Sequence, residues 1–173
     1  MIGSCAVIDS PIGPLLAVAR DGALAELWME PLPEHDPGRP QDPRDRALLE
    51  RVADQLARYF DGTLTRFDVP LDLAGTPFQR EVWDQLMRIP CGETISYGEL
   101  ARRVGRPGSA RAVGAANGQN PVAVIVPCHR VIGAGGKLTG YGGVLHRKAW
   151  LLDHEAGIGP GQLALPPVPF AHA

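Results

Sequence analysis

The sequence predicts an α+β protein of two small domains: a small antiparallel sheet with one helix, followed by a helical domain with the outline of a helix-turn-helix. Three patterns support this prediction. Short apolar runs between turn signals occupy the first thirty positions, apolar residues recur at steps of three and four from position 44, and two short helical patterns flank a glycine-containing turn near position 105. At 173 residues the chain can bury a core without disulfide bonds.

Three short strands open the chain and are predicted at Cys5–Asp9, Leu15–Arg20 and Ala23–Met29. The Asp21-Gly22 pair between the second and third strands is typical of a tight hairpin. The next segment, Pro31–Pro43, holds five prolines and mixed charges, which predicts a surface loop.

An amphipathic helix is predicted from Arg44 to the region of Gly62, and it would pack on the strands. Its apolar stripe is Leu48, Leu49, Val52, Leu56, Tyr59 and Phe60. We place the domain boundary after this helix, which gives domains at residues 1–73 and 74–157. Residues 158–173 contain four prolines and no Asp, Glu, Lys or Arg, which is typical of a disordered tail.

The second domain begins with a helix that Thr76 can cap and Pro77 can start. Its buried stripe is predicted to be Phe78, Val82, Trp83 and Leu86. Further along, Ser96 and Glu99 form a capping-box pattern that predicts a helix over Tyr97–Val104.

A second short helix, from Ala110 to about Asn117, follows a turn at Gly105–Gly108 and has Ser109 as its cap. This pair of helices predicts a helix-turn-helix, whose second helix meets DNA, although any small helical hairpin gives the same pattern. A last helix is predicted over Val144–Ala156, ended by Gly157. Its predicted apolar face is Leu145, Ala149, Leu152 and Ala156.

The net charge of −2 conceals an asymmetry between the two domains. Residues 1–73 carry 7 Lys/Arg against 13 Asp/Glu, a net charge of −6, whereas residues 74–157 carry 10 against 6, a net charge of +4. A basic second domain is compatible with phosphate contacts and also with an ordinary solvated surface. No apolar stretch has the length of a signal peptide or a membrane span, which predicts a cytoplasmic protein without a membrane partner.

The three cysteines lie far apart without a Cys-x-x-Cys pair, which argues against a disulfide framework and against a cysteine-rich zinc site. Cys5, in an alternating apolar stretch, is predicted to be a small buried side chain. Cys91 has no evident catalytic partner. Cys128 does have a candidate partner, because the imidazole of His129 follows it in Pro127-Cys128-His129-Arg130-Val131. A neighbouring base or cation lowers the pKa of a thiol and activates it as a nucleophile.

The apolar run before this motif, Val122–Val126, is predicted to be a buried strand or extended segment. In extended backbone adjacent side chains point to opposite faces, so Cys128 and His129 can interact only if the chain bends or a water bridges them. A cysteine hydrolase places its base on a separate element, so this adjacency argues mildly against that class.

Glu155 can complete a triad by accepting the imidazole N–H and orienting the ring. A carboxylate in the last turn of a helix opposes the helix dipole, which indicates that a compensating partner holds it there. The alternatives are a solvated surface carboxylate, or pairing with His154 or Arg147 instead.

The Pro-Cys-His-Arg-Val motif and its flanks closely resemble the O6-alkylguanine-DNA alkyltransferases, also called methylated-DNA–protein-cysteine methyltransferases. The matching flanks are Asn120-Pro121, Gly140-Tyr141-Gly142-Gly143 and Trp150-Leu151-Leu152 with His154-Glu155. The likeness is strong from about Thr76 to Gly157 and weaker before it. It implies a ribonuclease H-like layout for the N-terminal domain and a winged-helix-like C-terminal domain.

The resemblance implies single-use DNA repair, in which the Cys128 thiolate takes the alkyl group from O6-alkylguanine in duplex DNA, with O4-alkylthymine open as a second substrate. It implies no cofactor and no metal, and a monomer that binds the minor groove and rotates the damaged base out of the stack. His129 would act as base through a water and Glu155 would orient it. Tyr97 would contact and protonate the departing base, and Arg111 would fill the gap in the stack.

The DNA contacts implied by the resemblance are Tyr97, Arg106, Arg111, Ala112, Val131 and Gly142. Asn120 and Arg130 are expected to be structural residues near the site. Gly142 stands where some relatives have serine, so a backbone N–H contact would be kept and a hydroxyl lost. A non-catalytic lesion-binding module is the main alternative, and retention of Cys128 argues against it.

Overall fold

The structure, a computed structural model, describes residues 3–34, 36, 42–140 and 145–158. The chain divides into two compact units, one formed by Met1–Thr76 with Asn120–Val126 and the other by Pro77–Gln119 with Pro127–Ala173. The grouping of Asn120–Val126 with the first unit is a feature that the sequence analysis did not anticipate. The tail predicted at 158–173 and the helix start predicted at Val144 lie outside the described residues, except that residue 158 ends a helix.

The first unit contains a three-stranded antiparallel sheet in the order β1-β2-β3. Its strands are β1 (Ser4–Ile8), β2 (Leu15–Arg20) and β3 (Ala23–Met29). The hairpin between β2 and β3 turns at Asp21 and Gly22, which have φ angles of 52° and 78°. Such a left-handed turn follows the twist of the flanking strands. The predicted strands are therefore confirmed, each within one residue of its ends.

Cys5 lies on β1, at the edge of this sheet, and is half-buried. The prediction of a small buried side chain is therefore only partly met, because an edge strand has a neighbouring strand on one side only. The central strand β2 is buried along five of its six residues.

Helix α1 (Pro43–Phe60) packs on the sheet, as the apolar periodicity predicts. It begins at Asp42, whose side chain accepts a hydrogen bond from the Arg44 N–H. Two buried positions of α1 are polar, Asp45 and Gln55. Asp45 accepts hydrogen bonds from the Ser4 hydroxyl at 3.0 Å and from the Gly22 N–H at 2.8 Å. These bonds compensate for the burial of the carboxylate and join the helix to the sheet.

The segment Val122–Val126 is buried but is not a strand, so the prediction for it is wrong. Only Val122 bridges to β3, at Leu27, and the chain then turns. The cause is Asn120, whose Nδ2 donates to the Val126 carbonyl at 2.7 Å and whose Oδ1 accepts from the Val122 N–H at 3.0 Å. Because one side chain satisfies both ends of the turn, the buried backbone needs no strand ladder there.

The second unit is mostly helical. Its elements are α2 (Pro77–Met87), β4 (Ile95–Ser96), α3 (Tyr97–Arg103), α4 (Ala110–Gly118), β5 (Val131–Ile132) and α5 (Leu145–Ile158), with a 3₁₀ turn at Cys128–Arg130. Helix α2 packs on α3 and α4, and the indole N–H of the buried Trp83 donates to the Ala116 carbonyl at 2.9 Å. Phe78, predicted in the buried stripe, is half-buried, with the Arg106 guanidinium 5.0 Å from its ring centroid.

Helices α3 and α4 form the predicted helix-turn-helix outline. The Ser96 hydroxyl caps α3 by accepting the Glu99 N–H at 3.1 Å. Gly105 and Gly108 turn the chain between the helices with φ angles of 69° and 87°, a conformation that favours glycine. Ser109 precedes α4, but its side chain makes no capping hydrogen bond there.

The predicted face of helix α5 is confirmed in part, because Ala149 and Leu152 are buried and Ala156 is half-buried. Leu145 is 40% exposed, whereas Lys148 and Glu155 are fully buried. These two residues are seven positions apart, so they share one face of the helix. The described helices include none long and apolar enough to cross a membrane.

Candidate active site

The 3₁₀ turn Cys128–Arg130 presents three consecutive functional side chains, all of them buried. The Val131 N–H closes the turn on the Cys128 carbonyl. Cys128 is 6% exposed and His129 is 0% exposed. Because the backbone is bent here, the alternation of side chains expected for an extended segment does not apply to this pair.

His129 and Glu155 are brought together, from the turn and from α5. The His129 Nε2 lies 2.8 Å from the Glu155 Oε1, and both side chains are withdrawn from solvent. A carboxylate at this distance accepts the Nε2 proton, which leaves Nδ1 as the basic nitrogen of the neutral ring. Nδ1 is buried and has no hydrogen-bond partner among the residues that the structure describes. The alternative of a solvated Glu155 is therefore excluded.

Glu155 is also held by Arg130. The Arg130 Nε donates to Glu155 Oε2 and its NH2 to Glu155 Oε1, each at 2.8 Å, which makes a bidentate pair. The remaining NH1 donates to the Ile89 carbonyl at 2.5 Å, and the Gly92 N–H donates to Glu155 Oε2 at 3.3 Å. One buried carboxylate thus accepts from an imidazole, a guanidinium and a backbone amide.

These contacts set the pKa values of the pair. Burial alone would raise the pKa of Glu155, but the hydrogen bonds from His129 and Arg130 and the charge of Arg130 outweigh it and hold that pKa well below its ordinary value. The pKa of His129 is lowered, chiefly by burial. Glu155 opposes this shift, while the charges of Arg130 and Lys148 add to it. The geometry therefore favours an ionised carboxylate beside a neutral imidazole.

Lys148 places a buried ammonium group in the same region. Its Nζ donates to the Val131 carbonyl at 2.5 Å and to the Thr139 carbonyl at 2.9 Å. Burial lowers the pKa of Lys148 to about 8, and the charge of Cys128 acts in the opposite direction. An opposite charge favours the ionised form of its neighbour, so Lys148 and a Cys128 thiolate stabilise each other.

Tyr97, the first residue of α3, lies beside the same loop. Its hydroxyl donates to the Thr139 carbonyl at 3.2 Å. Burial is the main cause that raises the pKa of Tyr97, and the charge of Cys128 raises it further. The phenol therefore keeps its proton at neutral pH. Asn117 on α4 donates from Nδ2 to the Cys128 carbonyl at 3.3 Å, which links the second helix of the helix-turn-helix to the 3₁₀ turn Cys128–Arg130.

Cys91 is half-buried in the connection that leads to β4. Burial and then the charge of Glu155 raise the pKa of its thiol, while Arg130 lowers it. Cys91 is thus a weaker nucleophile than an ordinary thiol at neutral pH.

Some of the residues predicted to contact DNA are exposed and others are buried. Arg106, Arg111 and Ala112 are exposed, the first before α4 and the other two in its first turn. Val131 is fully buried in β5 and pairs with Ile95, so its side chain has a packing role. Gly142 lies outside the described residues. Asn120 closes the Val122–Val126 turn, as described above.

Sequence reasoning missed Lys148 as part of this site. Its one available signal was the seven-residue spacing to Glu155 on the same helix face. The described residues hold no cluster of three or more His, Cys, Asp or Glu side chains suited to a metal ion.

Comparison with known proteins shows two matches to family models. Residues 4–73 match the ribonuclease-like domain of 6-O-methylguanine DNA methyltransferase, and residues 77–157 match the DNA binding domain of 6-O-methylguanine DNA methyltransferase. Together these matches extend over most of the chain.

Individual relatives agree with the family models. A methylated-DNA–protein-cysteine methyltransferase of Mycobacterium tuberculosis is 54% identical over 158 residues, which cover 91% of this chain and 95% of the relative. The crystal structure of a Mycobacterium tuberculosis O6-methylguanine methyltransferase is 52% identical, with a TM-score of 0.80 over 94% of this chain and 98% of the other. A structure of the Mycobacterium tuberculosis protein OGT in complex with DNA is 53% identical, with a TM-score of 0.79 over 89% of this chain and 93% of the other.

Proposed function

Because the chain belongs to the 6-O-methylguanine DNA methyltransferase family, we propose that it repairs DNA by moving the alkyl group of O6-alkylguanine onto Cys128. The acceptor is consumed, so each molecule acts once. The observation that carries the assignment of residues is the buried chain of contacts from the Cys128–Arg130 turn to Glu155.

We infer the path of the thiol proton from this geometry. Glu155 accepts the Nε2–H of His129, so Nδ1 is the nitrogen that takes the thiol proton, through a water. The resulting thiolate attacks the alkyl carbon in line. The carbon–sulfur bond forms as the carbon–O6 bond breaks, and the thiol proton ends on the guanine base. A thioether has no ionisable proton and is a poor leaving group, so the reaction stops there.

Tyr97 donates a hydrogen bond to the departing base, or gives it a proton and is reprotonated by the proton that left the thiol, so that the base gains one proton in all. Its raised pKa keeps the phenol protonated, and the hydroxyl lies beside the Thr139 carbonyl. A group that has kept its proton in a buried site can donate when charge develops on the base.

DNA binding is assigned to α4 and its approach. O6 lies within a paired and stacked duplex, so a sulfur can reach the alkyl carbon only after the base has rotated out, at a cost of a few kcal/mol. Arg111 is exposed in the first turn of α4, next to the small residue Ala112. We assign Arg111 to the gap in the stack and Arg106 to the phosphate backbone, with α4 in the minor groove.

We place the reaction in the cytoplasm and assign it to a monomer that needs no cofactor. None of the three cysteines, all of which lie in the described part of the chain, forms a disulfide bond, and a reducing compartment preserves Cys128 in the reactive state. O4-alkylthymine is a second candidate substrate, because its alkyl group is also carried on an exocyclic oxygen of the base.

The test is the intact mass of the protein after incubation with a duplex that contains one O6-methylguanine. We expect a gain of about one methylene, localised to Cys128 by peptide mapping, with one transfer for each molecule. A Cys128→Ala variant should bind the same duplex without any mass change. Binding by the native protein without a mass change would instead identify a lesion-binding module, and repeated turnover would identify a hydrolase.

A further inference from the structure

Arg130 was expected to be structural, but its contacts give it a specific relation to His129. Both side chains donate to the same oxygen, Glu155 Oε1, at 2.8 Å. Arg130 also donates from Nε to Glu155 Oε2, and from NH1 to the Ile89 carbonyl. The guanidinium is therefore fixed in place, and it fixes the carboxylate rotamer that faces the imidazole.

The charges of these groups decide what the arrangement does. Glu155 is an ionised carboxylate with two candidate counter-ions, the imidazolium of His129 and the guanidinium of Arg130. A guanidinium is always charged in a protein, whereas an imidazole is not. With Arg130 in its bidentate position, Glu155 is already neutralised, and a proton on His129 adds a net positive charge to a buried site.

We propose that Arg130 is the permanent counter-ion of Glu155 and thereby leaves His129 free to accept and release a proton during alkyl transfer. This inference rests on the proposed function. Without Arg130, His129 would itself be the counter-ion of Glu155, and it would hold its proton instead of accepting the one from Cys128. Arg130 is thus a positioning residue that acts through Glu155.

Other charged groups near His129 fit this assignment. From α5 it faces Glu155 and Lys148, and from its own turn it faces Arg130. Cys128, the residue before it, faces Lys148. The Cys91 thiol, in the connection before β4, faces the Arg130–Glu155 pair. When Cys128 loses its proton, Lys148 and a protonated His129 are the two cations that can balance the thiolate. Once the sulfur is alkylated that negative charge is gone, and the proton that His129 had accepted passes to the guanine base.

The experiment is a pH titration of the His129 ring by NMR, with histidine labelled in ¹⁵N and the signal assigned through a His129→Gln variant. In the unmodified protein we expect His129 to be neutral at pH 7. In Arg130→Met we expect its titration midpoint to rise by about one to three pH units, the size expected when a nearby charge is removed. Arg130→Lys keeps the charge and should restore most of the original midpoint.

An exposed arginine provides the matched control. Arg88 pairs with Asp84 at 2.8 Å on the surface of α2, so Arg88→Met makes the same chemical change and should leave the His129 titration unchanged. A purely structural Arg130 would lower the thermal stability of both Arg130 variants without moving the midpoint, which would overturn the proposal. A His129 that is protonated at pH 7 in the unmodified protein would overturn it even if Arg130→Met does not fold.

The methyl-transfer assay on the unmodified protein keeps this test separate from the proposed function. If the protein takes up no methyl group, the proposed function fails, whatever the titration shows. If it does take up the methyl group and the midpoint does not move in Arg130→Met, only the role of Arg130 fails.

Discussion

The ammonium group of Lys148 donates a hydrogen bond to the carbonyl oxygen of Val131, three residues after the nucleophile, at 2.5 Å. The same group bonds the Thr139 carbonyl, so one buried cation joins α5 to β5 and to the loop that follows β5. Among the described residues Lys148 has no carboxylate partner. The charge of Cys128 raises the pKa of Lys148, against the effect of burial, so we propose that Lys148 stabilises the Cys128 thiolate in addition to its packing role.

Replacing Lys148 with methionine keeps an unbranched side chain, one atom shorter, and removes its charge. We expect the Cys128 thiolate to become less stable, so that the pH of half-maximal reaction with a thiolate-selective reagent rises by about one unit or more. Lys137→Met is the matched control, because Lys137 is exposed in the loop after β5. Equal pH profiles for the two variants would show that Lys148 does not influence the thiol.

The pKa of Lys148 also predicts how stability depends on pH. Burial lowers this pKa from 10.5 to about 8, so between these two values the unfolded chain binds the proton more strongly than the folded protein does. Stability therefore rises with pH across that window. We expect urea unfolding between pH 8 and 10.5 to show this rise in the native protein and a smaller one in Lys148→Met. The same slope in both proteins would contradict the assignment.

The strands and helices were predictable because their apolar periodicity agrees with their burial. In α1, for example, Leu48, Val52 and Leu56 recur at four-residue steps and are all buried. The Ser96 cap of α3 was predictable for a similar reason, since a capping pattern is local in the sequence.

The polar interior of the second unit was harder to predict. Periodicity assigns apolar residues to the buried face of a helix, so it placed Leu145 inside and gave no account of Lys148. The partners that make the burial of Lys148 and Glu155 tolerable come from distant parts of the chain, such as Arg130 and Val131. The turn at Val122–Val126 was missed because its apolar residues match a buried strand, while the bonds that bend it come from one asparagine.

Glu155→Gln should impair both stability and chemistry. It leaves the buried Arg130 guanidinium without a counter-charge, which costs about 3–5 kcal/mol of unfolding free energy. It also weakens the orientation of His129, so we expect transfer to slow on the order of a hundredfold. Chemical denaturation and single-turnover kinetics measure the two effects. The control Glu81→Gln, at an exposed position of α2, should change neither the unfolding free energy nor the rate of transfer. If Glu155→Gln transfers the alkyl group at the native rate, Glu155 has no part in the mechanism.

Acidification should destabilise the protein in two stages. The pKa of His129 is lowered from 6.5, mainly by burial, so its contribution to stability is complete above pH 6.5 and is lost as the pH falls below that value. The pKa of Glu155 is lowered from 4.5, so its contribution is lost at still lower pH. Thermal unfolding at a series of pH values should show the first decline in the native protein but not in His129→Gln. A decline of equal size in both proteins would assign it to another group.

Asn120→Ala removes the two hydrogen bonds that close the Val122–Val126 turn. The Val126 carbonyl and the Val122 N–H would lose their partner in a buried segment, so we expect a loss of about 1–3 kcal/mol in unfolding free energy. Gln119→Ala is a suitable control because the neighbouring Gln119 side chain is exposed. It accepts a hydrogen bond from the Gln79 side chain at the surface and takes no part in the Val122–Val126 turn. If the two variants are equally stable, Asn120 does not hold the turn.

Arg111→Ala should separate the rotation of the base from the chemistry. Free O6-benzylguanine needs no rotation out of a stack, so its reaction with Cys128 should be unchanged. Repair of a duplex should become slower, about tenfold for each ~1.4 kcal/mol of free energy that Arg111 contributes by filling the stack. Single-turnover rates on both substrates make the comparison, and Arg58→Ala, an exposed arginine on α1, controls for the loss of one positive charge. Because the nucleophile and its proton acceptors are identical in the two reactions, only a step that is unique to the duplex can account for a difference between them. Equal losses on both substrates would therefore place the effect of Arg111 at the site of alkyl transfer and not in the stack.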